Sequence, residues 1–145
     1  MARKSPASAQ PHGLNDVFGV VLAAGALLLM IALLSFDRRD LADAVPVNNP
    51  PHNLGGPIGA GVAWGLFRVF GGAAYLIPPL LLVYAFGYLL QFLSYLRRRW
   101  IWGAALLFCC MGLMSMFERD LTMLGWLQRK LNAPSAGGYI GLFFY

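Results

Sequence analysis

Apolar and polar positions along this chain fall into long blocks. Val17–Phe36 and Val69–Leu96 carry no charged side chain, and Ile101–Phe117 is a third apolar run. A helix needs roughly 20 residues to cross a bilayer core of about 30 Å, and the first two runs reach that length. The pattern predicts an all-α membrane protein with transmembrane helices at about 17–36, 71–93 and 101–117 and the start of a fourth at 139–145. As a helix the last stretch, Tyr139–Tyr145, covers only about 10 Å. Because it stops on an apolar run, we expect the chain to be a fragment. Residues 1–16 are polar, contain Pro6, Pro11 and Gly13, and read as a flexible cytoplasmic tail. A cleavable signal peptide is the competing reading of the first run, since Ala42-Asp43-Ala44 resembles a cleavage site. The run is too long for that, and Asp37-Arg38-Arg39-Asp40 intervenes.

Two segments between the runs predict short interfacial helices in the outer loops. Pro57 suits a first helical turn, and Ile58, Val62, Leu66 and Val69 recur on one apolar face. Trp64 and Arg68 lie on another side, as at a membrane–water interface. The alternative is a long tilted helix continuing into the next span. In that span Pro78 and Pro79 predict a kink that frees the carbonyls of Ala74 and Tyr75. A hinge or channel lining needs polar groups in the membrane; none of the residues from Val69 to Leu96 is charged, which favours a fixed bend. After the third run, Leu121, Leu124, Leu127 and Leu131 fall on one face of an amphipathic segment that Pro134 limits.

Composition and charge sharpen this picture. Only 12% of residues are charged and the mean hydropathy is +0.62, about half the charge of a soluble domain. The net charge of +5 does not point to nucleic acid, because the basic residues are spread along the borders of apolar runs. Arg97, Arg98 and Arg99 beside Trp100 and Trp102 read as a cytoplasmic interface anchor. With Arg3 and Lys4 they predict a cytoplasmic N-terminus and an outer first loop. Cys109 and Cys110 are adjacent, which suits neither a mutual disulfide nor a metal site. Asp37, Asp40 and Asp43 read as solvated loop charges, and His52 as a polar loop residue. No phosphate-cradling loop, zincin or nucleophile-elbow motif occurs, so no catalytic, cofactor-binding or metal residue is assigned. Gly55–Gly59, Gly61–Gly65 and Gly137–Gly141 match the small-residue spacing that lets membrane helices approach closely. No repeat is apparent beyond these.

The strings LLSFDRRD at 33–40, NLGGPIGA at 53–60 and FGGAAYLIP at 70–78 resemble the N-terminal membrane domain of the FtsK/SpoIIIE DNA translocases. The resemblance runs from Leu33 to Tyr145 and includes the late Gly-Gly-x-Ile-Gly. It implies a domain of four membrane helices at the division septum, followed by a linker and a hexameric ATPase that pumps double-stranded DNA. It also implies residence in the bacterial inner membrane, self-association and contact with other septal membrane proteins. DNA and ATP would enter only through a motor region absent from these residues. The function expected is membrane anchoring and assembly without catalysis. The alternatives are a self-contained membrane scaffold or accessory subunit and, less favoured, a channel or transporter subunit. Candidate contact residues are Asn53, Gly55, Gly56, Gly59, Gly61, Gly65, Arg68, Gly71, Tyr75, Pro78 and Pro79.

Overall fold

The computed structural model describes residues 12–44, 46–90, 95, 99–118 and 120–143. The tail before His12, the end of the second predicted span at 91–93, Arg97, Arg98 and the last two residues lie outside the described residues. Within them every regular element is helical: α1 (His12–Leu34), α2 (Gly56–Phe70), α3 (Ile77–Leu89), α4 (Trp100–Met116), α5 (Thr122–Leu131) and α6 (Gly138–Leu142). Short 3-10 segments lie at Arg38–Asp40 and Gly71–Leu76. α1 starts before the expected Val17, since the polar residues after Pro11 can continue a helix that faces water. The stretches Asn15–Leu34 and Gly56–Leu89 are long and apolar enough to cross a membrane. α4, with 17 residues, is about 25 Å long.

α1 and α3 pack antiparallel. The space beside Gly19 near the start of α1 is filled by Tyr88 and Leu89 at the end of α3. At the other end the Tyr75 hydroxyl reaches the Leu33 carbonyl at 3.5 Å. α2 lies across the end of α1, because the same last turns of α1 meet both halves of it. Ala32 faces Gly55 and Gly59, while Phe36 stacks edge-on against Phe67 at 5.2 Å. Leu33, Ala63, Phe67, Ala74 and Leu131 form the buried core here, with Tyr75 and Leu127 packed against it. The last turns of α4 reach the same place: Met114 packs over Gly72 and Met111 over Gly137. Both rising helices therefore finish under one cap, made of α2, α5, α6 and the segment Gly71–Leu76.

One expectation is corrected and two are sharpened. First, the prolines do not kink a helix. Pro78 and Pro79 stand at the start of α3, where amides have no helical partner and proline is tolerated. The Ala74 carbonyl accepts the Ile77 amide, and the break falls at Gly71, with φ 58° and ψ −140°. Second, Ile58, Val62 and Val69 of the apolar stripe point away from the protein, with Ile58 82% exposed, while Leu66 of the same stripe packs against the core. The buried side of α2 carries Ala60, Ala63 and Phe67, with Gly59 set against Ala32. Lipid gives large apolar side chains no reason to turn inward, whereas small ones permit close packing. Third, the leucine face of α5 is divided: Leu131 is buried, Leu124 and Leu127 are half-buried, and Leu121 is exposed.

Candidate contact site in the glycine-rich cap

The cap begins where α1 stops. Asp37 accepts the Arg39 amide at 2.9 Å and starts the turn Arg38–Asp40. That turn carries Asp40 inward until it is only 3% exposed, so this acid is a buried anchor and not the solvated charge its loop position suggests. One carboxylate oxygen accepts the His52 amide and the Asn48 side chain, both at 2.9 Å. The other accepts the Asn53 amide at 2.6 Å. Burial pushes the Asp40 carboxyl up, but these donors outweigh it and hold it below its ordinary 3.8. The Arg39 amide, with help from His52 and Asn48, holds Asp37 down as well. His52 Nδ1 lies 3.3 Å from Asp37, which draws the exposed imidazole into the same cluster.

Asn53 is the link between loop and helix. Its side-chain amide donates to the Ala32 carbonyl at 2.8 Å, one of the carbonyls that a helix end leaves without a partner. Its Oδ1 accepts the Gly55 amide at 2.8 Å. Next to it the Leu54 amide donates to Ser35 Oγ at 3.0 Å. The predicted residues Asn53, Gly55 and Gly59 are thus brought together on the end of α1, and Tyr75 joins them through Leu33 and its ring contact with Phe67 at 5.2 Å.

The other half of the cap is a contact of backbone on backbone. Gly71 and Gly138 have φ 58° and 71°, a region that only glycine enters freely. They stand back to back. A Cβ on Gly71 would fall on Ala136 and Gly138, and one on Gly138 would fall on Val69 and Gly71. The Gly72 amide donates to the Ala136 carbonyl at 2.8 Å. Arg68 bridges the same two elements: its guanidinium donates to the Tyr139 hydroxyl at 3.1 Å, 4.9 Å from the Trp64 ring centroid and 5.7 Å from that of Tyr139. Glu118 completes this side by accepting the Ala136 amide at 2.8 Å.

Not every predicted contact residue belongs here. Nothing lies near Gly61 or Gly65, which sit on the outward side of α2 with Val62. Pro78 is buried at the start of α3, whereas Pro79 is exposed. Arg99, Trp100 and Trp102 lie at the far, open end. There Arg99 stacks on Tyr95 at 4.4 Å, both tryptophans are exposed, and the Tyr84 hydroxyl donates to the Trp100 carbonyl at 2.9 Å. A cavity of about 260 Å³ between α3 and α4 is lined by Leu80, Tyr84, Arg99 and Trp102. Sequence reasoning missed Ser35, Asp40, Glu118 and Ser135. For the acids the available signal was their place at the ends of apolar runs, each followed by a Gly-Gly pair. Among the described residues no group of His, Cys, Asp and Glu is arranged to hold a metal ion.

The cap offers buried hydrogen bonds and close backbone contacts, the chemistry of assembly in a membrane. No solved structure matches the chain. Residues 12–145 match the family described as the 4TM region of DNA translocase FtsK/SpoIIIE. The apolar spans, the Asn-Leu-Gly-Gly turn and this match agree, and the chain belongs to the family of the 4TM membrane region of the FtsK/SpoIIIE DNA translocases.

Proposed function

We propose that this chain is the membrane-anchoring and assembly domain of a cell-division DNA translocase and is itself non-catalytic. The family match over residues 12–145 carries the reading. The cap supports it, since Asp40, Asn53 and Ser135 are engaged in holding turns and helix ends, Trp64 Nε1 being the buried polar atom there without a partner among the described residues. In this reading the domain is a multi-pass part of the bacterial inner membrane with the N-terminus in the cytoplasm and the cap outside. Arg99, Trp100 and Trp102 mark the cytoplasmic border. It sits at the septum, associates with its own kind and with other septal membrane proteins, and leaves ATP and DNA to a separate motor region.

The test replaces residues 12–145 in the complete translocase by an unrelated multi-pass anchor of the same topology. Septal localisation is expected to be lost while the ATPase remains active in vitro. Full septal recruitment by the unrelated anchor would refute the assembly role. Orientation is tested separately in a Cys109→Ala, Cys110→Ala background. Arg68→Cys is expected to react with an impermeant thiol reagent in intact cells, and Arg98→Cys only after the membrane is opened.

A further inference from the structure

The cap contains one arrangement twice. The string LLSFDRRDL at 33–41 pairs with LMSMFERDL at 113–121, and NLGGPIG at 53–59 pairs with SAGGYIG at 135–141. Few of these identities are large apolar residues, which is why the apolar pattern hides the likeness. The backbone repeats with them. Gly55 has φ −86° and ψ 7°, and Gly137 has φ −92° and ψ 6°. Gly56 and Gly138 follow at φ 64° and 71°. The Gly56 amide donates to Asn53 at 2.8 Å and that of Gly138 to Ser135 at 3.0 Å, while Gly59 to Gly55 and Gly141 to Gly137 are both 3.0 Å. Asn53 and Ser135, which open the two turns, are each 3% exposed.

Each turn also sits on the last turns of the rising helix before it. Gly55 and Gly59 lie on Ala32 in the last turns of α1, and Gly137 and Gly141 lie on Met111 and Ser115 in the last turns of α4. Each is held by a carboxylate from the intervening loop: Asp40 takes the Asn53 amide at 2.6 Å and Glu118 the Ala136 amide at 2.8 Å. The second acid stands two positions earlier in the paired strings, at 118 against 120, and the amide it takes one position later, Ala136 pairing with Leu54. α1 and α4 finish at the same end, so the two units run parallel, as in membrane folds whose repeats are related by an axis along the spans.

We propose that the cap is a duplicated unit of rising helix, acid, Gly-Gly turn and crossing helix, in which Asp40 and Glu118 are the positioning residues of two independent latches. Each acid holds its own turn on its own helix. α6 is then the counterpart of the first turns of α2, a helix that crosses the end of α4, and not the first turn of a descending span. This inference rests on the fold and stands whether or not the assembly role does.

Disulfide trapping tests it in the full chain, in membranes and in the Cys109→Ala, Cys110→Ala background. Ala32→Cys with Gly55→Cys reports on the first latch and Ser115→Cys with Gly141→Cys on the second. A Cβ added at Gly55 would stand 3.6 Å from that of Ala32, and one at Gly141 3.2 Å from that of Ser115, close enough for a disulfide after small adjustment. Both pairs are expected to close under mild oxidation, scored by peptide mass. Asp40→Asn should slow closure of the first pair about tenfold, the scale of a lost charge-assisted hydrogen bond, and leave the second unchanged. Glu118→Gln should do the reverse. Failure of either pair to close in the parent, no effect of an acid on its own pair, or loss at both pairs from one substitution would overturn the proposal.

Discussion

At the capped end of the bundle backbone meets backbone, with Gly72 donating to Ala136 and Gly71 set against Gly138. At the open end α3 and α4 stand apart over a cavity of about 260 Å³, joined by the hydrogen bond from Tyr84 to Trp100. Both ends expose large apolar side chains, Ile58 at the cap and Trp102 at the other, so surface hydrophobicity does not separate them. What separates them is the kind of residue turned inward. The cap buries Leu33, Phe67 and Leu131 together with glycine, alanine, Asp40, Asn53 and Ser135, whereas side chains such as Phe86 and Trp102 are exposed toward the open end. In lipid a large apolar side chain is equally at ease inside or outside the bundle. Tight association has to come from close approach and satisfied polar groups. The cap is the region built that way.

The largest contrast should come from the aromatic core. Phe67→Ala is expected to destabilise the domain by about 4 kcal/mol, as a fully buried ring leaves a cavity. Phe86→Ala, on the exposed side of α3, should cost about 1 kcal/mol or less. Thermal unfolding in detergent, followed by circular dichroism, compares them; equal losses would mean that the two ends are packed alike. Glycines give the next effect. Gly138→Ala puts a methyl group into the Val69 and Gly71 backbone at a positive φ and should cost about 3 kcal/mol. Gly61→Ala, in open space on α2, should stabilise by about 0.5–1 kcal/mol.

Polar contacts extend the series downward. Asp40→Asn keeps the shape but removes the charge that collects two amides and Asn48, a loss of about 2 kcal/mol. Tyr84→Phe, at a partly exposed hydrogen bond of the open end, should lose about 0.5–1 kcal/mol. If the tyrosine proves the costlier, the cap is not the stability centre. The smallest effect concerns acid. Asp37 and Asp40 have carboxyls held below the ordinary 3.8, so their contribution is complete above that value and is lost as pH falls through the lowered one. Protection of the Asn53 amide from hydrogen exchange, relative to its intrinsic rate at each pH, should hold from neutral pH to about 5 and fall only under stronger acid. In Asp40→Asn that acid-dependent step should disappear.

Much of this fold is written in composition and run length. α1, the apolar character of α3 and α4, and the start of α2 at Pro57 follow from where charges are missing and where proline can begin a helix. The family-marking strings at 53–60 and 70–78 can be read directly. The side on which α2 is buried cannot, because in a membrane the apolar stripe and the packed stripe need not coincide. Ile58 and Val62 carry the pattern while Gly55, Gly59 and Ala63 carry the contact. Asp40 misleads for a related reason. An acid that directly follows two arginines looks solvated until the chain folds back and supplies amides from His52 and Asn53.

The sequence by itself therefore determined the helical class, the apolar runs and the family, since these depend on local composition and short strings. Tertiary structure alone decided that Gly71 and not Pro78 breaks the chain, that Gly71 meets Gly138, and that Asp40 and Glu118 hold the two turns. Those outcomes depend on backbone groups far apart in the chain, and every residue except proline carries the same amide and carbonyl. Which of them meet is set only when the helices pack.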